Sequence, residues 1–171
     1  MKKAKAKTKA KATKRKVSPI PKGYHSVTPY LSVRGAAGAI EFYKKAFGAR
    51  EIMRMPGPTG NIGQAEIEIG GSRIMLADEY PEIDFLSPAA RGGTTVTIHL
   101  YVPDADKIME RATEAGGTVV QPMKDQFYGD RTGSLRDPFG HVWHFATHKE
   151  DLSMAELKKR AEQAAKGAGE T

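Results

Sequence analysis

From Val27 to Val33 apolar and polar residues alternate, with Val27, Leu31 and Val33 on one side and Thr28, Tyr30 and Ser32 on the other. That is the period of a half-buried strand. Ala36, Ile40, Tyr43 and Phe47 then recur at helical spacing, and Gly48 stands where a helix stops. Three strand-like stretches follow. They are Glu51 to Met55, Gln64 to Ile69 with Ala65, Ile67 and Ile69 alternating against Gln64, Glu66 and Glu68, and Arg73 to Ala77. Pro-Gly-Pro-Thr-Gly and Gly70-Gly71 supply the turns between them. The pattern predicts a βαβββ unit.

The same grammar returns 69 positions later. Val27, Thr28, Leu31 and Val33 lie over Val96, Thr97, Leu100 and Val102, and without a gap Ala36, Glu41, Ala46, Gly48, Gly60, Gly71 and Ala77 meet identical residues, 11 identities over 53 positions. The second helix repeats the stripe with Ala105, Met109, Ala112 and Gly116. The body therefore reads as two copies of one supersecondary unit, residues 24–80 and 93–148, in an α+β domain spanning 23–151. One face of each sheet is expected beneath its helix, through Val27, Leu31, Ile74 and Leu76 in the first copy and Val96, Leu100, Trp143 and Phe145 in the second. The opposite faces are expected to oppose each other and enclose a cavity. Thr28, Tyr30, Arg73, Met75, Thr97, His99, Tyr101, Val142, His144 and Ala146 would line it, joined by Gln64, Glu66 and Glu68.

Composition changes this picture at the N-terminus only. Of 27 Lys and Arg, nine fall within residues 1–16, which carry no acidic group, so the remainder has 18 basic against 20 acidic residues, a net of −2. The basic pI belongs to the tail, residues 1–22, whose Lys-Ala alternation offers no apolar face to bury. The zero cysteine count excludes disulfides, thiolate zinc sites and cysteine nucleophiles. No apolar run reaches a membrane span or a signal-peptide core, so the expectation is a cytoplasmic protein without a membrane partner. Beyond the body, Ser153-Met154-Ala155-Glu156 is a capping box opening a helix to Lys166 within residues 152–171, with a thin stripe of Met154, Leu157 and Ala161.

Paired βαβββ units, the helix stretch Ala39-Ile40-Glu41-Phe42-Tyr43 and the run Asp137-Pro138-Phe139-Gly140-His141-Val142-Trp143 resemble the vicinal oxygen chelate superfamily, which includes glyoxalases, bleomycin-resistance proteins and extradiol dioxygenases. The ending Ala146 to Asp151 is similar to its PhnB-like branch. The resemblance implies a small-molecule pocket, a homodimer and, in metal-dependent members, a divalent ion (Zn, Mn, Ni or Fe) acting as a Lewis acid on neighbouring substrate oxygens. It places the four ligand positions at Thr28, Met75, Thr97 and His144, of which only His144 is a competent donor for such ions. His99 lies two residues beyond Thr97 on the same strand face, where it would join His144, with Glu66 completing a two-histidine, one-carboxylate set. The other reading makes both histidines polar groups lining the pocket.

Tyr30, Glu66, Met75 and Thr28 from the first copy, with Thr97, Tyr128 and Arg131 from the second, are the expected substrate contacts. Arg131 either pairs a carboxylate or phosphonate on the substrate or bridges to Asp130. His141 is read as structural, and His25 and His148 receive no role. Three functions remain open: a divergent metal-dependent glyoxalase- or dioxygenase-like enzyme, a metal-free ligand-sequestering protein, and a nucleic-acid-associated protein acting through its tail.

The tail, with nine cations in sixteen residues, reads either as a sequence-blind arm that would release several counterions from duplex DNA or as a solvated segment that aids solubility, and a DNA-binding assay separates the two. On the first reading, full-length protein is expected to bind any DNA sequence at about 50 mM salt and to release it as salt rises toward about 200 mM. Deleting residues 1–16 is expected to abolish this binding without moving the melting temperature, as read by fluorescence anisotropy and calorimetry.

Overall fold

The computed structural model describes residues 17–168; the basic run falls outside them. The first module comprises β1 (Tyr30–Val33), α1 (Ala36–Phe47), β2 (Arg50–Pro56), β3 (Ile62–Ile69) and β4 (Ser72–Asp78). A connector carries the 3-10 turn Pro81–Ile83 and the short helix α2 (Pro88–Arg91). The second module comprises β5 (Thr97–Tyr101), α3 (Ala105–Glu114), β6 (Thr118–Asp125), β7 (Asp130–Arg136) and β8 (Val142–His148), and α4 (Met154–Ala168) follows. Ser153 caps α4, its hydroxyl accepting from the Glu156 N–H at 3.2 Å. The sheets are ordered β1-β4-β3-β2 and β5-β8-β7-β6, with β1 parallel to β4, β5 parallel to β8 and the other pairings antiparallel. The predicted α+β architecture of two βαβββ modules is therefore the observed one.

Two local expectations need correction. The first strands begin late, at Tyr30 and Thr97, so Val27 and Val96 precede the sheets and are 84% and 67% exposed instead of lying under helices. The gapless repeat also slips by one residue in the third strand. Ile67 faces Ile74 in one sheet and Leu135 faces Trp143 in the other, an offset of 68 on β7 against 69 on β8. The cause is the turn. Gly70-Gly71 joins Ile69 to Ser72, whereas the second module continues to an Asp137 N–H bond onto His141 O (2.9 Å) and turns through Pro138-Phe139-Gly140.

The larger correction concerns how the modules meet. Helix α1 buries seven of its twelve residues, among them Phe42, Tyr43 and Phe47, a stripe wider than one sheet can cover. The second module covers the rest. Phe47 lies 4.6 Å from Trp143 and 5.5 Å from Phe145 between ring centroids, and Tyr43 lies 5.3 Å from Trp143. The helix-facing sides of both sheets thus share one core. The faces turned away from the helices are not closed against each other, since Tyr30 and Tyr101 remain 47% and 59% exposed.

One buried carboxylate ties the modules together. Asp137, 3% exposed, accepts from Tyr43 Oη at 2.7 Å, Trp143 Nε1 at 3.0 Å, and the backbone N–H groups of Phe139 and His141 at 2.9 Å each. Burial, and then the Asp137 charge, push the Tyr43 phenol well above its ordinary pKa, so it is held as a donor. Tyr43→Phe is expected to cost about 1–2 kcal/mol in urea denaturation by removing one donor from a buried charge. Asp137→Ala is expected to cost about 3 kcal/mol or more, because it orphans the indole and two amide N–H groups. The pair of substitutions should be strongly non-additive.

Candidate functional site

The connector is fixed before any ligand arrives. The Glu79 carboxylate accepts from Arg34 Nε at 2.9 Å and from the Ser87 hydroxyl and N–H at 2.6 and 2.9 Å, and these bonds hold its pKa down at about 2. Tyr80 and Phe85 exchange two backbone hydrogen bonds (2.8 and 3.1 Å), which close a tight bridge. Buried Pro88 rests on Gly140. A Cβ at Gly140 would stand 2.9 Å from Pro88 Cβ, and its φ of 94° already favours glycine. The connector is thereby held against the turn of the second module.

Between this connector and the edge strands β1 and β5 lies an open cavity of about 1100 Å³. Tyr30, Leu31 and Ser32 form one wall, Thr97, Ile98 and His99 another, and Phe85, Leu86 and His141 line it together with Asp84 and Arg91, an ion pair at 2.6 Å. Tyr30 and Phe85 pair at 4.9 Å with planes tilted by 51°. The Ser32 hydroxyl is buried and has no hydrogen-bond partner among the described residues. His141 Nε2 lies 3.2 Å from the Ser32 carbonyl oxygen, so that nitrogen carries the proton as donor, and burial lowers the pKa and favours the neutral ring. Its structural reading fits this placement.

The cavity gathers Tyr30 and Thr97 from the expected contacts and His99 from the expected metal pair. Thr28 is half-buried just ahead of β1 and does not line it. Met75 pairs with Tyr30 inside the first sheet, and Glu66 sits beside Met75, engaged with Arg73 (3.7 Å) and the Tyr24 hydroxyl. His144 is the register partner of His99, ring centroids 5.0 Å apart. The expected set of two histidines and Glu66 is not assembled, because its carboxylate belongs to the other sheet and the two sheet faces do not oppose. Among the described residues no group of three histidine, aspartate or glutamate side chains is placed to hold a metal. The donor set of one chain therefore does not fit a resident Zn, Mn, Ni or Fe ion, since two imidazoles leave a first-row ion mostly to water.

The loop before β7 also differs from expectation. Arg131 makes a bidentate pair with Asp106 at 2.6 and 2.7 Å and a further contact with Asp125 at 3.3 Å, not with Asp130. Tyr128 packs edge-on against Phe127 and is 38% exposed. Asp130 is buried, and it accepts from Tyr101 Oη at 2.8 Å and meets His148 Nδ1 at 2.7 Å, while His148 Nε2 reaches Asp151 at 3.0 Å. Nothing in the sequence reading singled out His148. The signal was present, because residues 144, 146 and 148 share one face of β8. Phe85 and Leu86 carried no periodic signal and were missed.

The profile of the Glyoxalase/Bleomycin resistance protein/Dioxygenase superfamily matches residues 24–145. An uncharacterized protein of Mycobacterium bovis, Mb0911c, is 43% identical over 136 residues, covering 78% of this chain and 90% of that protein. The crystal structure of TioX from Micromonospora sp. ML1 is 27% identical, with a TM-score of 0.57 over 75% of this chain and all of that one. The X-ray structure of the Arabidopsis thaliana gene product At5g48480 is 28% identical, with a TM-score of 0.58 over 72% and 98%. The chain belongs to the glyoxalase/bleomycin resistance protein/dioxygenase superfamily.

His148 and His144, both on β8, are expected to titrate on opposite sides of 6.5, the ordinary value. Hydrogen bonds to Asp130 and then Asp151 raise the pKa of His148, whereas burial and then His99 lower that of His144. The His148 contribution to stability is therefore full below the unfolded pKa and lost as pH rises through its raised folded value. NMR titration of the imidazole Cε1–H signals checks the order, and Asp130→Asn should bring His148 back toward 6.5.

Proposed function

We propose that this superfamily member binds and holds a small organic molecule in the cavity between β1, β5 and the connector, and that it does so without a resident metal. The observation that carries this reading is the preformed lining. A tilted aromatic pair, Tyr30 with Phe85, stands across from threonine and histidine side chains, and a buried hydroxyl, Ser32 Oγ, has no partner among the described residues. Apolar walls with a few polar groups that fix orientation are the composition of a ligand pocket, and a volume near 1100 Å³ suits a large ligand. Tyr30, Phe85, Leu31 and Leu86 supply contact area, while Ser32 and Thr97 offer hydroxyls that donate or accept.

This reading joins the chain to the ligand-sequestering side of its superfamily, and it takes the protein as a homodimer. The exposed sheet faces around Tyr30 and Tyr101, next to unpaired strand edges, support a second copy as partner. One observation favours a second reading, a divergent metal enzyme: the adjacency of His99 and His144, to which a partner copy would have to bring a carboxylate. Elemental analysis of protein purified without added metal separates the two. The binder reading expects well below one Zn, Mn, Ni or Fe ion per chain, and stoichiometric metal lost in His144→Ala would establish the enzyme.

Two substitutions test the pocket with the fluorescent probe 1-anilinonaphthalene-8-sulfonate. Thr97→Trp should fill the cavity and weaken probe binding by about tenfold or more with little change in melting temperature. Ser32→Ala should leave stability unchanged or raise it by up to about 1 kcal/mol, because the hydroxyl it removes is buried and unsatisfied. A clear loss of stability in Ser32→Ala would mean that this hydroxyl serves the fold and not a ligand.

A further inference from the structure

The two modules cover their first strands differently. In the first, Leu31 and Val33 are buried at 8% and 0% exposure, within a core against which Phe139 packs. The Phe139 ring stands 3.5 Å from where a Cβ on Gly38 would be and 6.3 Å from the Phe42 ring. In the second module the equivalent residues, Leu100 and Val102, are only half-buried. The residue 69 positions before Phe139 is Gly70, so no aromatic side chain reaches across from the short turn.

A groove of about 530 Å³ opens there, lined by Gly70, Leu100, Val102, Lys107, Ile108 and Arg111 with Phe47 behind. Lys107, Ile108 and Arg111 stand 69 positions after Gly38, Ala39 and Phe42, so the groove is the counterpart of the site that Phe139 occupies. A second feature distinguishes it. Where the first module has the Phe42 ring, the groove has a guanidinium. Lys107 is paired with Asp104 at 3.0 Å, whereas Arg111 makes no ion pair among the described residues and Glu110 lies beside it on the rim.

We propose that this groove is a binding site for a small aromatic carboxylate. Its ring takes the place that the Phe139 ring fills in the other module, and its carboxylate meets Arg111 in the planar two-point geometry that a guanidinium favours. The site is separate from the cavity beside β1 and β5, sharing none of its lining residues.

Indole and indole-3-acetate are suitable probes, followed by methyl NMR on the full chain. Both should shift the Leu100, Val102 and Ile108 methyl signals. The acetate should bind roughly three- to tenfold tighter at low salt, an advantage that Arg111→Gln removes while indole binding persists. Gly70→Phe should suppress both probes by supplying the missing ring. Gly70 has a φ of 55°, so Gly70→Asn, which tolerates that conformation, serves as the open-groove control. Should Gly70→Phe fail to fold, Val102→Phe fills the groove from the strand side. Equal affinity for the two probes would overturn the ligand class. Methyl shifts that survive the filling substitutions, or that are absent from the parent protein, would overturn the site.

Discussion

Asp137 is the constraint from which the arrangement of the two modules follows. A carboxylate removed from water is tolerable only when its lone pairs are satisfied, and this one takes four donors from three places: the α1 phenol, the β8 indole and its own turn. The phenol comes from the first module and the remaining donors from the second. Any shift of the modules past one another would strand a charge, an indole N–H and a phenol in a dry core. The aromatic packing of Phe47 and Tyr43 on Trp143 supplies the area, while the carboxylate supplies the register.

The cavity beside β1 and β5 depends on that register. His141 belongs to the turn that Asp137 organises, and its imidazole reaches the Ser32 backbone on the other module's first strand. Gly140, in the same turn, receives the connector through Pro88. One turn of the second module therefore locates the floor, one wall and the roof of the site. The first module has no equivalent, because Gly70-Gly71 is a residue shorter and presents no side chain. Internal duplication produced the scaffold, and the unequal turns produced its two different openings.

The sequence carried the fold well and the site unevenly, for physical reasons. Alternation in β1 and β3 and the helical stripe in α1 are local, so the elements and their repeat were legible. The gapless match concealed the longer turn because β8 returns to the original offset one residue later. The mutual orientation of the modules is a tertiary property, and Phe42, Tyr43 and Phe47 on one helix were its trace, since so broad an apolar face demands more than one sheet. Assigning that stripe to a single sheet led to the opposed-face cavity and to Glu66 as a partner for histidines in the other sheet. Facing along the strands was nevertheless readable: Tyr30, Thr97, His99 and His144 do turn away from the helices, and the error lay in what they turn toward.

The chemistry available at the two histidines follows from that geometry. His99 and His144 sit as register partners on parallel strands, and burial, then the neighbouring His99, lower the pKa of His144. The nearest carboxylate of that face, Asp130, is spent on Tyr101 and His148. A general base or a metal ligand gains from a carboxylate behind the imidazole that fixes the tautomer and raises its basicity. On this face the carboxylate orders the wrong histidine for that purpose. His148, not His99 or His144, is the imidazole that Asp130 polarises. The proposed pocket, with an aromatic pair, hydroxyls, imidazoles and the Arg91 guanidinium in its lining, would discriminate ligands by shape, hydrogen bonding and charge.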